Sequence, residues 1–169
     1  EPPMRDLQLD TLAGVLDGSI LVQNHCYRAD EMAMMIEMSH EFNYQITAFH
    51  HAVEAYKIAD LLADEGICGA LWADWWGFKH EAYDMVPANI AIVDQARGGT
   101  GCAIVHSDDE VGIQHLNQEA AKALIAGIRA GYDISKARAM RWITSNPAIA
   151  AGIFDQTGSI EVGKDADLV

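Results

Sequence analysis

Three residues of this 169-residue chain have metal-ligand chemistry and stand at matching places: His25, His51 and Asp108 follow the apolar runs Ser19 to Asn24, Tyr44 to Phe49 and Gly101 to Val105. Neutral imidazole nitrogen and carboxylate oxygen both bind divalent cations such as Zn, and catalytic sites gather them from several elements while leaving a position for water. A cation lowers the pKa of its water toward neutrality, and a nearby Asp can take the proton as the nucleophile attacks a carbonyl. Asp108 suits that second role. Plainer roles stay open to each residue alone: His25 can bond a backbone carbonyl, and Asp108 can cap a turn within Ser107-Asp108-Asp109-Glu110. Their recurrence at successive run ends is what points to one shared site.

The other histidines divide by context. His50 and His51 are adjacent, and strand alternation points them in opposite directions, so periodicity admits one of them to a common mouth without choosing which. His106 lies two residues before Asp108 and could line the same mouth, with its role left open. His40, His80 and His115 read as surface, loop and helix-approach residues. The link from Trp72 to Asp84 is long and carries Trp72, Trp75, Trp76, Phe78 and Tyr83. It is either a lid or pocket wall, or a hydrophobic plug. Gly98-Gly99-Thr100-Gly101 precedes a strand rather than a helix, which makes it a turn and not a phosphate cradle.

The elements that must position these residues follow from periodicity. Leu7 to Leu16 has helical spacing closed by Gly18. Strand-like runs at Ser19 to Asn24, Tyr44 to Phe49, Ile67 to Leu71 and Gly101 to Val105 alternate with helix-like stretches at Asp30 to Phe42, Glu54 to Glu65, Ala88 to Arg97 and Gln118 to Ala130. This alternation predicts an α/β fold with a parallel sheet, all strand carboxyl ends on one face. Four such units are half of a TIM-like (β/α) barrel, whose chemistry sits at that face. The first residue is not Met and the last, Asp167-Leu168-Val169, read as mid-strand, which favours a half-barrel over a small complete sheet. Beyond it, Ile134 to Ser145 reads as a helix, Asn146-Pro147 as a break, and Gly158 to Gly163 as the start of a small β element. The expected division is therefore 1–157 and 158–169.

Half the residues are apolar, a globular composition. A net charge of -14 argues against nucleic-acid partners, whose binding rests on clustered Lys and Arg. No run is long enough to cross a bilayer and the opening residues lack a signal-peptide apolar region, so the expectation is a soluble chain without a membrane partner. Cys26, Cys68 and Cys102 lie in or beside strand-like runs and read as buried free thiols, which fits a reducing, cytoplasmic setting.

At these residues the sequence resembles the amidohydrolase superfamily, in its imidazolonepropionase-like and prolidase-like branch, over the second half of that family's barrel. Val22-Gln23-Asn24-His25-Cys26-Tyr27-Arg28-Ala29-Asp30-Glu31 is similar to the fifth strand with its His ligand. Phe49-His50-His51-Ala52-Val53-Glu54 is similar to the sixth-strand motif, a His three residues before a Glu, and that register selects His51. His106-Ser107-Asp108 resembles the eighth-strand Ser-Asp, although a smaller or amide residue is expected where His106 stands. Thr144-Ser145-Asn146-Pro147-Ala148 and Gly158 to Val169 resemble the closing signature, where the chain enters a small β-sandwich.

The resemblance implies a metal-dependent hydrolase of carbon-nitrogen bonds, in an amide, cyclic amide or dipeptide, using an activated metal-bound water. One or two divalent ions, Zn by expectation, would be held by His25, His51 and Asp108, with Asp108 shuttling the proton. Tyr27 and Arg28 would meet the substrate, Arg28 by paired hydrogen bonds to a carboxylate; the alternative for Arg28 is a solvent-facing place on the first helical turn. The first-strand His pair and the fourth-strand ligand have no counterpart in the chain. Two further readings therefore stand beside the first: an inactive half-barrel that depends on a missing amino-terminal half or on self-association, and a deaminase of the same superfamily.

Overall fold

The computed structural model describes residues 4–168. Strands β1 (Val22–Cys26), β2 (Ile46–His51), β3 (Cys68–Leu71) and β4 (Cys102–Val105) form one parallel sheet in sequence order. The sheet does not close, which is consistent with half of an eight-unit barrel. Helix α1 (Leu7–Leu16) precedes β1, and α2 (Ala29–Phe42), α3 (Ala59–Asp64), α4 (Asn89–Gly99) and α5 (Leu116–Arg129) follow the four strands in turn. Short helices α6 (Lys136–Arg141) and α7 (Ser145–Ala150) complete the order.

Side-chain alternation separates the two faces of the sheet. Leu71, Ala103 and Val105 join Met32 and Ile36 of α2, Leu62 of α3, Ile90 of α4 and Trp142 in the main core. Cys68, Ala70 and Ile104, one residue out of phase, lie on the other face with Ala48 and Ala150. Met32 and Ile36 are four apart and share one helix face, which is why α2 lies flat on the sheet. Small residues set the closest approach: a Cβ on Gly127 of α5 would stand 2.6 Å from that of Ala91 on α4. The start of β4 is tighter still, since a Cβ on Gly101 would fall 1.8 Å from the Val93 carbonyl oxygen.

The two sheet edges are finished unequally. On the outer edge of β4 the Val105 N–H donates to the Trp142 carbonyl (3.0 Å) and Asn146 Nδ2 donates to the Ala103 carbonyl (2.7 Å), so the residues after α5 cover it. No strand adjoins β1 on its other side among the described residues. Helix α1 spans the predicted residues and is capped by Asp6, whose carboxylate accepts from the Gln8 and Leu9 N–H groups. Yet Leu7, Leu9, Leu12 and Leu16 are more than half exposed.

Four expectations are corrected. Cys68 and Cys102 are joined in a disulfide, and Cys26 alone is a buried free thiol. The two cysteines are register partners on adjacent strands, a proximity that spacing along the chain does not reveal. The thiol count consequently no longer argues for a reducing compartment. The helix expected over Ile134 to Ser145 is shorter, α6 being capped by Ser135, whose hydroxyl accepts from the Arg138 N–H. Pro147 does not break the chain but lies in the first turn of α7, where its missing N–H has no intrahelical bond to lose. Gly158 to Gly163 makes bends and turns instead of a strand, since no strand among the described residues lies beside it to form a ladder. Val169 lies outside the described residues. No described helix is long and apolar enough to cross a membrane.

Candidate metal centre

The predicted residues sit at the carboxyl end of the sheet, and His25 and His51 are inside strands rather than after them. His25 pairs in register with His50, and Cys26 with His51. His51 then departs from strand geometry, with φ of 66°, followed by Ala52 at 29°. Such values are uncommon for residues other than glycine and persist where surroundings hold them. The holding groups are visible. Asn89, buried at the start of α4, donates through Nδ2 to the Ala52 and Val53 carbonyls (3.1 and 3.0 Å), and the Ala52 N–H donates to the Cys26 carbonyl. This turn explains why both neighbouring histidines face the same rim: their ring centroids are 6.3 Å apart.

His51 Nδ1 lies 2.9 Å from Asp108 Oδ2, His106 Nε2 lies 3.0 Å from Asp108 Oδ1, and the two imidazole nitrogens are 3.2 Å apart. These three side chains form one triangle of donor atoms. His25 stands beside it rather than in it, with its ring centroid 4.5 Å from that of His51. The turn-capping alternative for Asp108 falls to its neighbour. Asp109 Oδ2 accepts from the Gly112 N–H and the Asp109 N–H donates to Ser107 Oγ, which leaves the Asp108 carboxylate to the histidines. His106 extends the β3–β4 pairing by donating its N–H to the Leu71 carbonyl. The sequence places it two residues before Asp108, able to line the same mouth, and it continues the phase of Ile104 one residue past the end of β4.

Burial holds the His51 imidazole well below its ordinary value, at about 4, an effect that neighbouring imidazoles reinforce and Asp108 opposes. His106 and His50 are also lowered, chiefly by burial, against the same Asp108 field. Neutral rings with free lone pairs result. His50 Nε2 is engaged with Gln23 Oε1 at 2.8 Å.

Tyr27 is buried and its ring stacks on that of His51, with centroids 5.3 Å apart. Arg28 is exposed and turned to its own helix, where its guanidinium meets the Asp30 carboxylate through Nε (3.0 Å) and Nη2 (2.7 Å). The paired donors expected to meet a substrate are thus already occupied. Glu54, three residues after His51, accepts from the Ala29 N–H (2.9 Å) and from Lys57 Nζ (2.8 Å). It ties the exit of β2 to the first turn of α2, and so holds the two His-bearing strands in step. The Trp72 link forms a wall: Trp72 is 2% exposed, with its ring centroid 5.0 Å from that of His51.

Residues 129–169 match the sequence model of the amidohydrolase family. A solved structure, an amidohydrolase from Thermotoga maritima MSB8, superposes with a TM-score of 0.81 at 30% identity over 99% of this chain. In fold and in sequence this span is similar to amidohydrolases. A curated relative, Amidohydrolase tasK of Hapsidospora irregularis, is 31% identical over 97% of the chain. The chain spans 16% of the length of that relative and 42% of the solved amidohydrolase.

Proposed function

We propose that the protein is a metal-dependent hydrolase of carbon-nitrogen bonds, with His51, His106 and Asp108 as the part of its metal site that this chain supplies and His25 as an adjoining ligand. The spacing of the triangle carries the reading. Tetrahedral ligands at ~2.0–2.1 Å from one cation stand about 3.3 Å from each other, and the observed edges are 2.9, 3.0 and 3.2 Å. The proton arrangement agrees. If both imidazoles donated to Asp108, two N–H groups would confront each other across 3.2 Å without an acceptor, whereas a cation accepts all three lone pairs.

A divalent ion, Zn by the nitrogen and oxygen donor set, would supply Lewis acidity and a water ionisable near neutral pH. The residues perform the rest. His51 and His106 are kept neutral by burial and so present lone pairs rather than charge. Asp108, with its side chain 40% exposed, takes the proton of the attacking water on a carboxylate oxygen and returns it to the leaving amine nitrogen. Tyr27 and Trp72 wall the rim and exclude solvent from one side.

The open β1 edge and the exposed leucines of α1 support a completing partner, either an amino-terminal half-barrel or a second copy. The remaining ligands would come from that partner. The test is metal analysis of the intact protein together with amine release from dipeptides and N-acyl amino acids. Bound divalent metal and amine release are expected in the wild type, with both lost in His51→Ala and, in Asp108→Asn, release lost while metal binding is weakened but not abolished. Absence of metal from the wild type, or full turnover in Asp108→Asn, overturns the reading.

A further inference from the structure

The link between β3 and α4 leaves two hydrogen-bond donors unused beside the metal triangle. Trp72 stands in ring contact with His51, Tyr27 (5.6 Å), Trp75 (5.1 Å) and Phe78 (5.3 Å), and its indole Nε1 is buried without a partner. Lys79 holds its ammonium 4.2 Å over the Tyr27 ring and 5.3 Å from the Phe78 centroid, and forms no ion pair among the described residues. The other cations around this rim are committed. Arg28 pairs with Asp30, Lys57 with Glu54 and Asp84, and Lys122 with Asp74 of the link itself.

We propose that Tyr27, Trp72, Trp75, Phe78 and Lys79 form the subsite for a carboxylate-bearing part of the substrate, with Lys79 Nζ and the Trp72 indole N–H as its donors. A carboxylate is acceptor-only and offers two oxygens, which matches one ammonium and one N–H with nothing else to bond. A cationic ligand is disfavoured because Lys79 already holds the aromatic faces that would attract it. A neutral apolar ligand would leave both donors desolvated and unpaired. Tyr27, the member of this box that stacks on His51, places the carboxylate next to the reacting centre, as in an N-acyl amino acid or a dipeptide. Lys79 thus takes the recognition role for which Arg28 was one of two sequence alternatives. The proposal deepens the hydrolase reading and rests on it for the scissile amide.

The test is binding of N-acetylphenylalanine and N-acetylphenylalaninamide to the intact protein after chelation, by calorimetry and tryptophan quenching. Metal uptake is assayed separately, so failure of the metal site and failure of the subsite are read independently. The acid should bind at least ~10-fold more tightly than the amide, the ratio set by one charge-assisted hydrogen bond. Lys79→Met should remove that preference and Lys79→Arg keep it. Trp72→Phe should weaken acid binding with the amide unaffected; because Trp72 is buried, its circular dichroism is compared first, and Lys79→Met alone decides if that variant misfolds. Equal affinities in the wild type, a preference that survives Lys79→Met, or no binding of the acid overturns the proposal.

Discussion

Asp94 on α4 and the triangle of His51, His106 and Asp108 both place polar groups in apolar surroundings, but their hydrogen-bond accounts close differently. Around Asp94, which is fully buried, the carboxylate accepts from Arg138 Nε (2.9 and 3.0 Å), Trp142 Nε1 (2.8 Å) and Gln95 Nε2 (2.6 Å). Arg138 uses its remaining reach on the Asp94 and Gly99 carbonyls, which binds the end of α4 to α6. At the rim, by contrast, two imidazole nitrogens face each other, and Trp72 Nε1 and Asn89 Oδ1 are buried without partners. A satisfied network holds elements together, whereas the rim keeps polar groups without partners among the described residues, as the proposed metal site and subsite require.

The largest consequence concerns the satisfied region. Asp94→Ala leaves a partly buried guanidinium and an indole N–H without an acceptor, and removal of one partner from such a pair costs ~3–5 kcal/mol. Urea denaturation should show that loss, and a change under about 1 kcal/mol would mean that water replaces the carboxylate and the clasp is not closed. Gly101→Ala strikes the same region through the backbone, because its Cβ would meet the Val93 carbonyl; forced local displacement of this kind costs ~1–3 kcal/mol. Neither change should alter metal stoichiometry in the protein that remains folded.

The rim should behave in the opposite way. Asp108→Asn replaces a partly exposed carboxylate by an amide of the same shape that can still bond an imidazole, so the unfolding midpoint should stay near wild type. Hydrolysis should fall ~100- to 10,000-fold if Asp108 is the proton carrier. If stability falls as much as in Asp94→Ala, the division between the two regions is lost. A finer cut compares His106→Ala with His25→Ala by metal titration: the triangle predicts the greater loss of affinity for His106, and a greater loss for His25 would move the centre toward β1.

The order of strands and helices was legible because each strand is a short apolar run and each helix keeps an apolar face. Boundaries moved where the neighbour decides: the first two strands end at Cys26 and His51 because β1 and β2 continue to pair there. The direction of His51 was not legible. Alternation sets it opposite to His50, and only the turn held by Asn89, 37 residues away from Ala52, reverses that. The Cys68–Cys102 bridge was hidden for the same reason, since it depends on the β3–β4 register. The capping by Asp109 rather than Asp108 hung on backbone direction within one loop. Arg28 and Asp30 are two residues apart, and their pairing agrees with the solvent-facing alternative for Arg28.

The smallest effect tests the rim by pH. In chelated protein the His51 ring should remain neutral down to about pH 4, because burial disfavours its charged form more than Asp108 supports it. The sign follows from linkage. An unfolded imidazole titrates near ~6.5, so the unfolded chain binds more protons between that pH and the folded value. The contribution of His51 to stability is complete above ~6.5 and is lost as pH falls toward 4. Following the imidazole resonances by NMR should show His51 unchanged from neutral pH to about 5, with its midpoint lower than that of a free imidazole. The Asp94 clasp has no histidine, so its Trp142 indole signal should not move over the same interval. A His51 midpoint near ~6.5 would mean that water reaches the triangle freely, and the contrast between a dry rim prepared for a cation and an ordinary solvated edge would disappear.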